Sequence, residues 1–344
     1  MQVLVFGTGA VGAYLGARLR QSGEDVTFLA RPAWAEAIRR DGLHVEGTGR
    51  SETMRGAQVL TELPTGFNLG PDSAVLLTVK AYDCDAAAVA IRDRITGTPP
   101  VICLLNGIGN EERLEALLGE GRVTGATLTT AVSAPAPGVI RIERERGAAF
   151  ERTPAGLRVG DAFRRAGLPT RVFDDRGSVK WSKLPTNMLA NASSAILDWT
   201  AGQAMADPGI YRIEVESIRE AMRVMQRLGH RLVNLPGVPV RWLARSLLLP
   251  PWVSQPWLSR VVARGRGAKR PSLHFDIGRG RSEAPWLHGP IRDHGRRLGI
   301  STPANETLLE ILMDLVEGRA DPTTWRHRPS ALIEQARLRG VPGV

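Results

Sequence analysis

The sequence predicts a two-domain α/β protein, with a parallel β-sheet flanked by helices in the first half and an all-helical second half. Short, apolar, β-rich runs alternate with helical patterns up to about residue 128, which is the order expected of βαβ units. From Ser178 onward the periodicity is almost entirely helical. The length of 344 residues and the 43% hydrophobic content allow two separate cores.

The elements of the first half can be assigned in order from the N-terminus. The first apolar run leads directly into a glycine turn, so it predicts a strand and not a signal peptide. The expected strands are 3–6, 26–30, 74–79, 101–105 and 123–128, and the expected helices are 11–21, 85–95 and one that follows Asn110. The Pro/Gly-rich residues 135–138, followed by apolar residues 139–142, predict a hairpin. We expect this hairpin to form the antiparallel edge of the same sheet.

The second half predicts long amphipathic helices and one irregular segment. The helices are expected at 180–197, 206–228, 286–298 and 303–317. The change of pattern near residues 174–177 predicts domains of 1–175 and 176–344. Residues 232–269 are rich in Pro, Trp and Arg, and we expect them to form extra helices on the second domain. A lid or a dimer contact is the alternative interpretation of this segment.

Composition excludes several classes of protein. The formal net charge is +10, but the basic residues are spread along the chain without a basic arm or interleaved aromatics, so nucleic-acid binding is not expected. The most apolar later segment, 247–253, contains two prolines and is too short to span a membrane. Two cysteines, Cys84 and Cys103, are too few for a disulfide framework or a zinc site. We therefore expect a cytoplasmic protein without a metal centre.

A glycine-rich turn between the first strand and the first helix predicts a dinucleotide site. Its first glycine allows the tight turn, its second lets a pyrophosphate approach the backbone, and its third permits close packing of the helix. The helix N-terminus offers free N–H groups and partial positive charge to the phosphates. The motif reads Gly7-Thr8-Gly9-Ala10-Val11-Gly12.

The end of the second predicted strand indicates which dinucleotide binds. Domains that bind NAD usually carry an acid there to hold the ribose hydroxyls. Here the strand is followed by Arg31, and the first carboxylate is Glu36. Because a guanidinium suits a 2′-phosphate, the sequence favours NADP(H) over NAD(H). Lys80 and Asn106 follow the next two central strands, and we expect both at the carboxyl edge of the sheet, near the ribose and nicotinamide.

Three polar residues lie four apart along a segment that otherwise predicts a buried helix. Lys183, Asn187 and Asn191 would share one face at 3.6 residues per turn. Unpaired amides and amines are costly to bury, so this stripe must meet something polar. Opposite a nicotinamide, an ammonium would stabilise the negative charge that forms on a carbonyl oxygen and then protonate it. The apolar neighbours expected in the core are Leu184, Met188, Leu189, Ala192, Ala195 and Ile196.

The chain resembles the ketopantoate (2-dehydropantoate) reductases over nearly its whole length, because it carries several motifs of that family in the same order along the sequence. The motifs are Gly7 to Gly12, Leu29-Ala-Arg31, Val79-Lys80-Ala-Tyr-Asp83, Asn106-Gly-Ile-Gly-Asn-Glu111, Trp181-Ser-Lys183-Leu through Asn187 and Asn191, Pro271-Ser-Leu-His-Phe-Asp276 and Gly280-Arg-Ser-Glu283. The resemblance implies an N-terminal Rossmann-type domain, a C-terminal helical domain and an active site in the cleft between them.

The resemblance also implies roles for individual residues. The general acid would be Lys183, and Asn187 and Asn191 would line the substrate site. Ser272 would help to hold the substrate carboxylate, and Glu283 would bind its hydroxyl end. The residues that match Arg31, Lys80 and Asn106 serve the NADPH side in that family, and Asn106 is expected to contact the substrate as well.

This sequence departs from the family pattern in three places. The spacing from Ser272 to Glu283 is one residue shorter than usual, and the 232–269 segment is longer than in compact members. Pro185 lies within the predicted catalytic helix, where a missing N–H and a ring clash should bend the helix near Lys183. These departures bear on the geometry of the site and on the preferred substrate.

The resulting prediction is an NADPH-dependent reductase that converts ketopantoate to pantoate on the route to pantothenate and coenzyme A. Its partner is a small anionic 2-oxo acid, and a homodimer is possible. A second hypothesis keeps the chemistry and changes the substrate to another 2-oxo acid or a larger ketone. A third is a non-catalytic NADPH-binding sensor or interaction module that uses residues 232–269 as its partner surface.

Overall fold

The computed structural model describes residues 1–47, 49–266 and 270–344, so residues 267–269 of the 232–269 segment lie outside the described residues. Contacts divide the chain into two units. The first contains Met1–Leu105, Gly109–Lys180 and Asn234–Val238; the second contains Asn106–Ile108, Trp181–Val233 and Pro239–Val344. Apart from the short segments 106–108 and 234–238, the chain changes unit between Lys180 and Trp181, inside the helix Arg176–Met188. The sequence instead predicts a domain boundary between residues 175 and 176.

The first unit contains the strands found among the described residues. In chain order they are β1 Gln2–Phe6, β2 Asp25–Leu29, β3 Leu43–Gly47, β4 Arg50–Met54, β5 Gln58–Leu60, β6 Phe67–Asn68, β7 Ser73–Leu77, β8 Ile95–Thr96, β9 Val101–Cys103, β10 Val123–Leu128, β11 Ala131–Ala136, β12 Val139–Arg144, β13 Ala148–Glu151 and β14 Thr170–Phe173. Its helices are α1 Ala10–Gln21, α2 Pro32–Asp41, α3 Cys84–Arg94, α4 Asn110–Leu118 and α5 Pro154–Arg165.

Eight of these strands form the main sheet, in the order β14-β13-β10-β9-β7-β1-β2-β5. All neighbouring pairs are parallel except β10 and β13. The central strands are continuous apolar runs, and β7 and β9 are buried along their whole length, as expected for strands covered on both faces. The Rossmann-type fold predicted from the sequence is therefore confirmed.

The predicted hairpin forms, but its expected place at the edge of the main sheet is wrong. Strands β11 and β12 pair antiparallel, and β12 then pairs with β3 in a separate four-stranded sheet, β11-β12-β3-β4. In β12 the buried Ile140 and Ile142 alternate with exposed residues, a pattern that suits a sheet with one solvated face. Strand β13, buried at Ala148, Ala149 and Phe150, instead provides the antiparallel partner of β10.

The second unit is helical in its described part, as the sequence predicts. Its helices, with α6 beginning in the first unit, are α6 Arg176–Met188, α7 Ala192–Leu197, α8 Ala201–Ala206, α9 Pro208–Arg227, α10 Val240–Leu247, α11 Pro251–Arg266, α12 Ala284–Leu287, α13 Gly289–Leu298, α14 Pro303–Val316 and α15 Pro329–Leu338. Short 3₁₀ turns occur at Ser272–Asp276 and Pro322–Thr324. No helix among the described residues is long and apolar enough to cross a bilayer.

The predicted continuous helix at 180–197 is wrong at one point, because the chain breaks between Met188 and Ala192. Ala190 has a left-handed φ of +50°, and its N–H donates to the Glu214 carboxylate at 2.7 Å. Glu214 lies on α9 and is 1% exposed. A buried carboxylate therefore binds the backbone at the break between α6 and α7. Pro185 lies inside α6, where the helix continues to Met188.

Extra helices are present in the 232–269 segment. Helix α11 packs mainly against α8 and also contacts α9 and α10. Residues 234–238 belong to the first unit, where Leu235 and Val238 form an isolated antiparallel bridge. The described part of the segment thus adds two helices to the second unit, which agrees with the first interpretation of this sequence.

Candidate functional site

The glycine loop has the geometry that its three glycines predict. Gly7 has a φ of +103°, and a Cβ there would lie 2.8 Å from the Val79 backbone nitrogen. A Cβ on Gly12 would lie 2.4 Å from the Gly7 carbonyl oxygen, so the helix can pack this closely only with glycine. At Gly9 a Cβ would meet no atom within 4 Å. Two glycines are therefore required by packing, while the third leaves open space beside the backbone.

The start of α1 presents donors toward an anion. The first intrahelical bond runs from Ala13 N to Gly9 O, so the amides of Ala10, Val11 and Gly12 have no acceptor four residues back in the helix. Gly9 is the N-cap and provides no side-chain acceptor for them. Thr8 is buried, and both its N–H and its Oγ1 donate to the Leu29 carbonyl, which fixes the loop to the end of β2. The loop fits a dinucleotide pyrophosphate.

Arg31 lies where the sequence places it, just beyond the end of β2. It is the N-cap of α2, with extended backbone, and its side chain is exposed. It forms no side-chain hydrogen bond or ion pair with any described residue. An exposed guanidinium without an acidic partner can bind a phosphate without first breaking an ion pair. The position therefore fits a 2′-phosphate.

Lys80 and Asn106 each lie three residues beyond a central strand, since β7 ends at Leu77 and β9 ends at Cys103. Lys80 is half-buried and is the N-cap of the 3₁₀ turn Ala81–Asp83. Asn106 belongs to the second unit, where its Oδ1 accepts a hydrogen bond from Asn187 Nδ2 at 3.0 Å. The structure therefore brings Asn106 together with the polar stripe.

The stripe lies among core side chains, as predicted. Lys183 and Asn187 are half-buried and Asn191 is 6% exposed. The six apolar neighbours named from the sequence are all buried, at 5% exposure or less. Lys183 lies one turn before Asn187 on α6, so both side chains leave the same face of that helix. The helix thus carries an amine and an amide on one partly open face.

The carboxamide of Asn191 links two segments of the second unit. Its Nδ2 donates to the Asn187 carbonyl at 2.9 Å and to Ser272 Oγ at 3.3 Å. Its Oδ1 accepts from the Leu273 N–H at 3.3 Å. A series of hydrogen bonds therefore joins Asn106, Asn187, Asn191 and Ser272. Within it Asn191 is committed to protein partners, whereas Ser272 remains exposed.

Glu283 lies at the start of α12, beside the segment that carries Asn106. It is the N-cap of that helix and is 7% exposed. The Ile108 N–H donates to the carbonyl of Trp286, in the same helix, at 3.0 Å. Gly107 has a φ of +88°, and a Cβ there would lie 2.5 Å from that carbonyl oxygen. Close contact with α12 thus fixes the backbone at Gly107 and Ile108.

Sequence reasoning missed Lys180, three residues before Lys183. Its Nζ lies 2.8 Å from Glu111 Oε1, with both side chains at most 5% exposed, and it donates to the Leu105 carbonyl at 2.6 Å. Burial alone would lower the pKa of Lys180, but Glu111 raises it above its ordinary value. The ion pair fixes the end of the loop that leads to Asn106. Only four lysines occur among 45 basic residues, and this scarcity could have drawn attention to Lys180 from the sequence.

Comparison with known proteins identifies the family. Residues 3–153 match the family model described as ketopantoate reductase PanE/ApbA, and residues 177–316 match the model for its C-terminal domain. The chain belongs to the ketopantoate reductase family. This confirms the resemblance inferred from the sequence.

This chain aligns with its relatives along nearly their whole length. It is 27% identical over 311 residues to a 2-dehydropantoate 2-reductase of Pyrococcus horikoshii, covering 89% of this chain and 94% of that protein. A PanE/ApbA family ketopantoate reductase from Ralstonia eutropha has a TM-score of 0.76 at 28% identity, covering 93% of this chain and 99% of that one. A D-mandelate dehydrogenase solved with NADH and anilino(oxo)acetate shares the fold, with a TM-score of 0.73 at 20% identity and coverage of 92% and 99%.

Proposed function

We propose that this ketopantoate reductase family member reduces 2-dehydropantoate to pantoate with NADPH, in pantothenate and coenzyme A biosynthesis. The observation that carries the proposal is the hydrogen-bonded series from Asn106 through Asn187 and Asn191 to Ser272, with Lys183 one turn away on α6. The relatives named 2-dehydropantoate 2-reductase support the choice of substrate. In this proposal residues 1–175 bind NADP(H) and residues 176–344 bind the substrate.

The glycine loop and Arg31 hold the cofactor. The amides at the start of α1 bind the pyrophosphate, and the Arg31 guanidinium binds the 2′-phosphate, with Lys80 and Asn106 toward the ribose and nicotinamide. Bound NADPH supplies the hydride that the substrate's C2 carbon receives. Arg31→Asp replaces the guanidinium with a carboxylate that repels the 2′-phosphate of NADPH. The ratio of NADPH to NADH activity should therefore fall.

Lys183 protonates the alkoxide oxygen that forms when C2 is reduced. An ammonium donates this proton and also stabilises the developing charge, whereas carboxamides orient the substrate without adding charge. Asn187 and Asn106 orient the carbonyl, Ser272 binds the carboxylate and Glu283 binds the hydroxyl. Asn191 acts on the substrate through Ser272, which it positions.

The test is steady-state oxidation of NADPH and of NADH with ketopantoate beside smaller and larger 2-oxo acids. Lys183→Met should lower kcat by about a hundredfold or more. Lys183→Arg keeps the positive charge but cannot give up a proton near neutral pH. Its kcat should therefore be close to that of Lys183→Met. Near-wild-type turnover in Lys183→Met, with unfolding temperature unchanged, would remove Lys183 from the mechanism.

Two other hypotheses from the sequence, a different substrate and a non-catalytic NADPH-binding sensor, stay predictions. The same assays would give a different result for each. Faster turnover of a bulkier 2-oxo acid than of ketopantoate would favour the changed substrate. NADPH binding without turnover of any ketone would favour the sensor. The homodimer and the cytoplasmic location also stay predictions, and the free thiols of Cys84 and Cys103 agree with a reducing compartment.

A further inference from the structure

A pocket of about 380 Å³ lies in the second unit, where the 232–269 segment meets α9. Its volume is at the lower end of the range for small-molecule sites, about 300–1,000 Å³. None of the residues assigned above to cofactor or substrate lines it. The lining residues are Arg219, Met222, Arg223, Gln226, Leu232, Arg241, Ala244, Arg245 and Leu248.

Two helices form the walls of the pocket with the same spacing of residues. From α9 come residues 219, 222, 223 and 226, and from α10 and its C-cap come residues 241, 244, 245 and 248. Both sets follow the i, i+3, i+4, i+7 pattern of a single helix face. Each face carries two arginines beside apolar side chains. Leu232, from the connection between the helices, adds to the apolar lining.

The arginines exceed the acidic groups near them. Arg223 forms an ion pair with Glu216 at 2.7 Å, and Arg219 approaches the same carboxylate at 3.7 Å. Arg219 also donates to the Leu247 carbonyl, and Arg241 donates to the Leu232 carbonyl. Both of these bonds go to carbonyl groups, while Arg219 and Arg223 share the single Glu216 carboxylate. The pocket therefore keeps a surplus of positive charge.

Arg245 is the guanidinium best placed to take an external anion. It is exposed and forms no side-chain hydrogen bond or ion pair with any described residue. Beside it, Ala244 is buried and Leu248 is 65% exposed at the rim. Guanidinium groups bind carboxylates and phosphates in a bidentate manner, and the adjoining apolar wall would bury a hydrocarbon tail.

We propose that this pocket binds a small amphiphilic anion, with a carboxylate or phosphate head on the arginines and an aliphatic tail against Met222, Leu232 and Leu248. The charge surplus requires the anionic head, and the apolar wall requires the tail. This site is independent of the proposed reductase function, since it shares no residue with it. It also gives a role to two arginines of the 232–269 segment, Arg241 and Arg245.

Calorimetric titration of the full chain tests the proposal with octanoate and octyl phosphate as probes. Acetate, which lacks the tail, and 1-octanol, which lacks the charge, serve as control ligands. We expect at least one octyl anion to bind, and acetate and 1-octanol to bind at least tenfold more weakly. Comparison of the two octyl anions distinguishes a carboxylate ligand from a phosphate ligand.

Two surface variants connect binding to the pocket. Arg245→Ala should weaken binding about tenfold, the scale of one charged hydrogen bond. Leu248→Glu should weaken it at least as much, because it places a carboxylate at the rim. The matched controls are Arg260→Ala, an exposed arginine on α11, and Leu249→Glu, the next exposed leucine; both should bind the probe like the wild type.

Three results would overturn the proposal. In the first, neither octyl anion binds more tightly than acetate and 1-octanol. In the second, Arg245→Ala and Leu248→Glu bind as the wild type does. In the third, size-exclusion chromatography shows that Leu248→Glu separates a dimer that Leu249→Glu leaves intact, which would mean that a second copy of the chain covers the pocket.

Discussion

Replacing Lys180 by methionine should strongly destabilise the first unit. The Lys180 ammonium and the Glu111 carboxylate lie 2.8 Å apart, with side-chain exposures of 5% and 2%. Methionine fills a similar volume but leaves the Glu111 charge in the core without a counter-ion. It also removes the donor to the Leu105 carbonyl. The cost therefore arises from an uncompensated buried charge and not from a cavity.

The expected loss of unfolding free energy is about 3–5 kcal/mol, the usual cost of breaking a buried pair by removing one partner. For a unit of this size, each kcal/mol shifts the unfolding temperature by about 2–4 °C, so the total shift is about 6–20 °C. The double variant Lys180→Met with Glu111→Leu should recover most of this loss, because it removes both charges together.

Urea and thermal unfolding measure these differences. The matched control is Arg113→Met, which breaks the exposed Arg113–Asp85 pair in the same unit and should cost about 1 kcal/mol or less. Because the pKa of Lys180 is raised in the fold, the stabilisation from the pair is complete below the ordinary pKa of 10.5 and is lost as the pH rises through the folded value. The double variant should therefore lose less stability than the wild type above pH 10.5. A cost below 1 kcal/mol for Lys180→Met, or a double variant as unstable as the single one, would refute the reasoning.

Substitutions at three further residues test other contacts. Gly12→Ala should abolish NADPH binding in a fluorescence titration, because its Cβ would lie 2.4 Å from the Gly7 carbonyl oxygen; unchanged affinity would contradict this. Glu214→Ala should lower kcat and stability by releasing the Ala190 amide, and Glu214→Gln, which keeps one acceptor, should restore most of both; equal losses in the two variants would count against it. Burial lowers the pKa of His288 to about 4, so stability should fall by about 3 kcal/mol as the pH drops from 6.5 to 4, and His288→Leu should flatten that slope in pH-dependent unfolding.

The cofactor loop could be predicted because its requirements are local. Gly7 and Gly12 are only five residues apart, and the close contact between them is already implied by a strand, a turn and a helix in direct succession. The position of Arg31 follows from the length of β2 in the same way. In each case the spacing along the chain determines the position in space.

The placement of the hairpin could not be predicted from its own residues. The turn at 135–138 specifies two antiparallel strands, but their sheet is determined by β3, nearly a hundred residues earlier, with which β12 pairs in parallel. The alternation of buried Ile140 and Ile142 with exposed residues was the available signal, since it indicates one solvated face. Selecting the partner strand requires the tertiary fold.

The break between α6 and α7 shows why the sequence periodicity located the polar stripe but not its geometry. The spacing of Lys183 and Asn187 is correct because both lie within α6. Asn191 would lie on the same face only if the helix continued. The helix breaks where the Glu214 carboxylate, 24 residues later in the chain, accepts a hydrogen bond from the Ala190 amide. A charge-assisted bond to a buried carboxylate can offset the left-handed backbone of Ala190, which costs about 1–2 kcal/mol. The displaced Asn191 can then reach Ser272 and the Leu273 amide. Glu214 should therefore affect the substrate site through Asn191, without itself contacting the substrate.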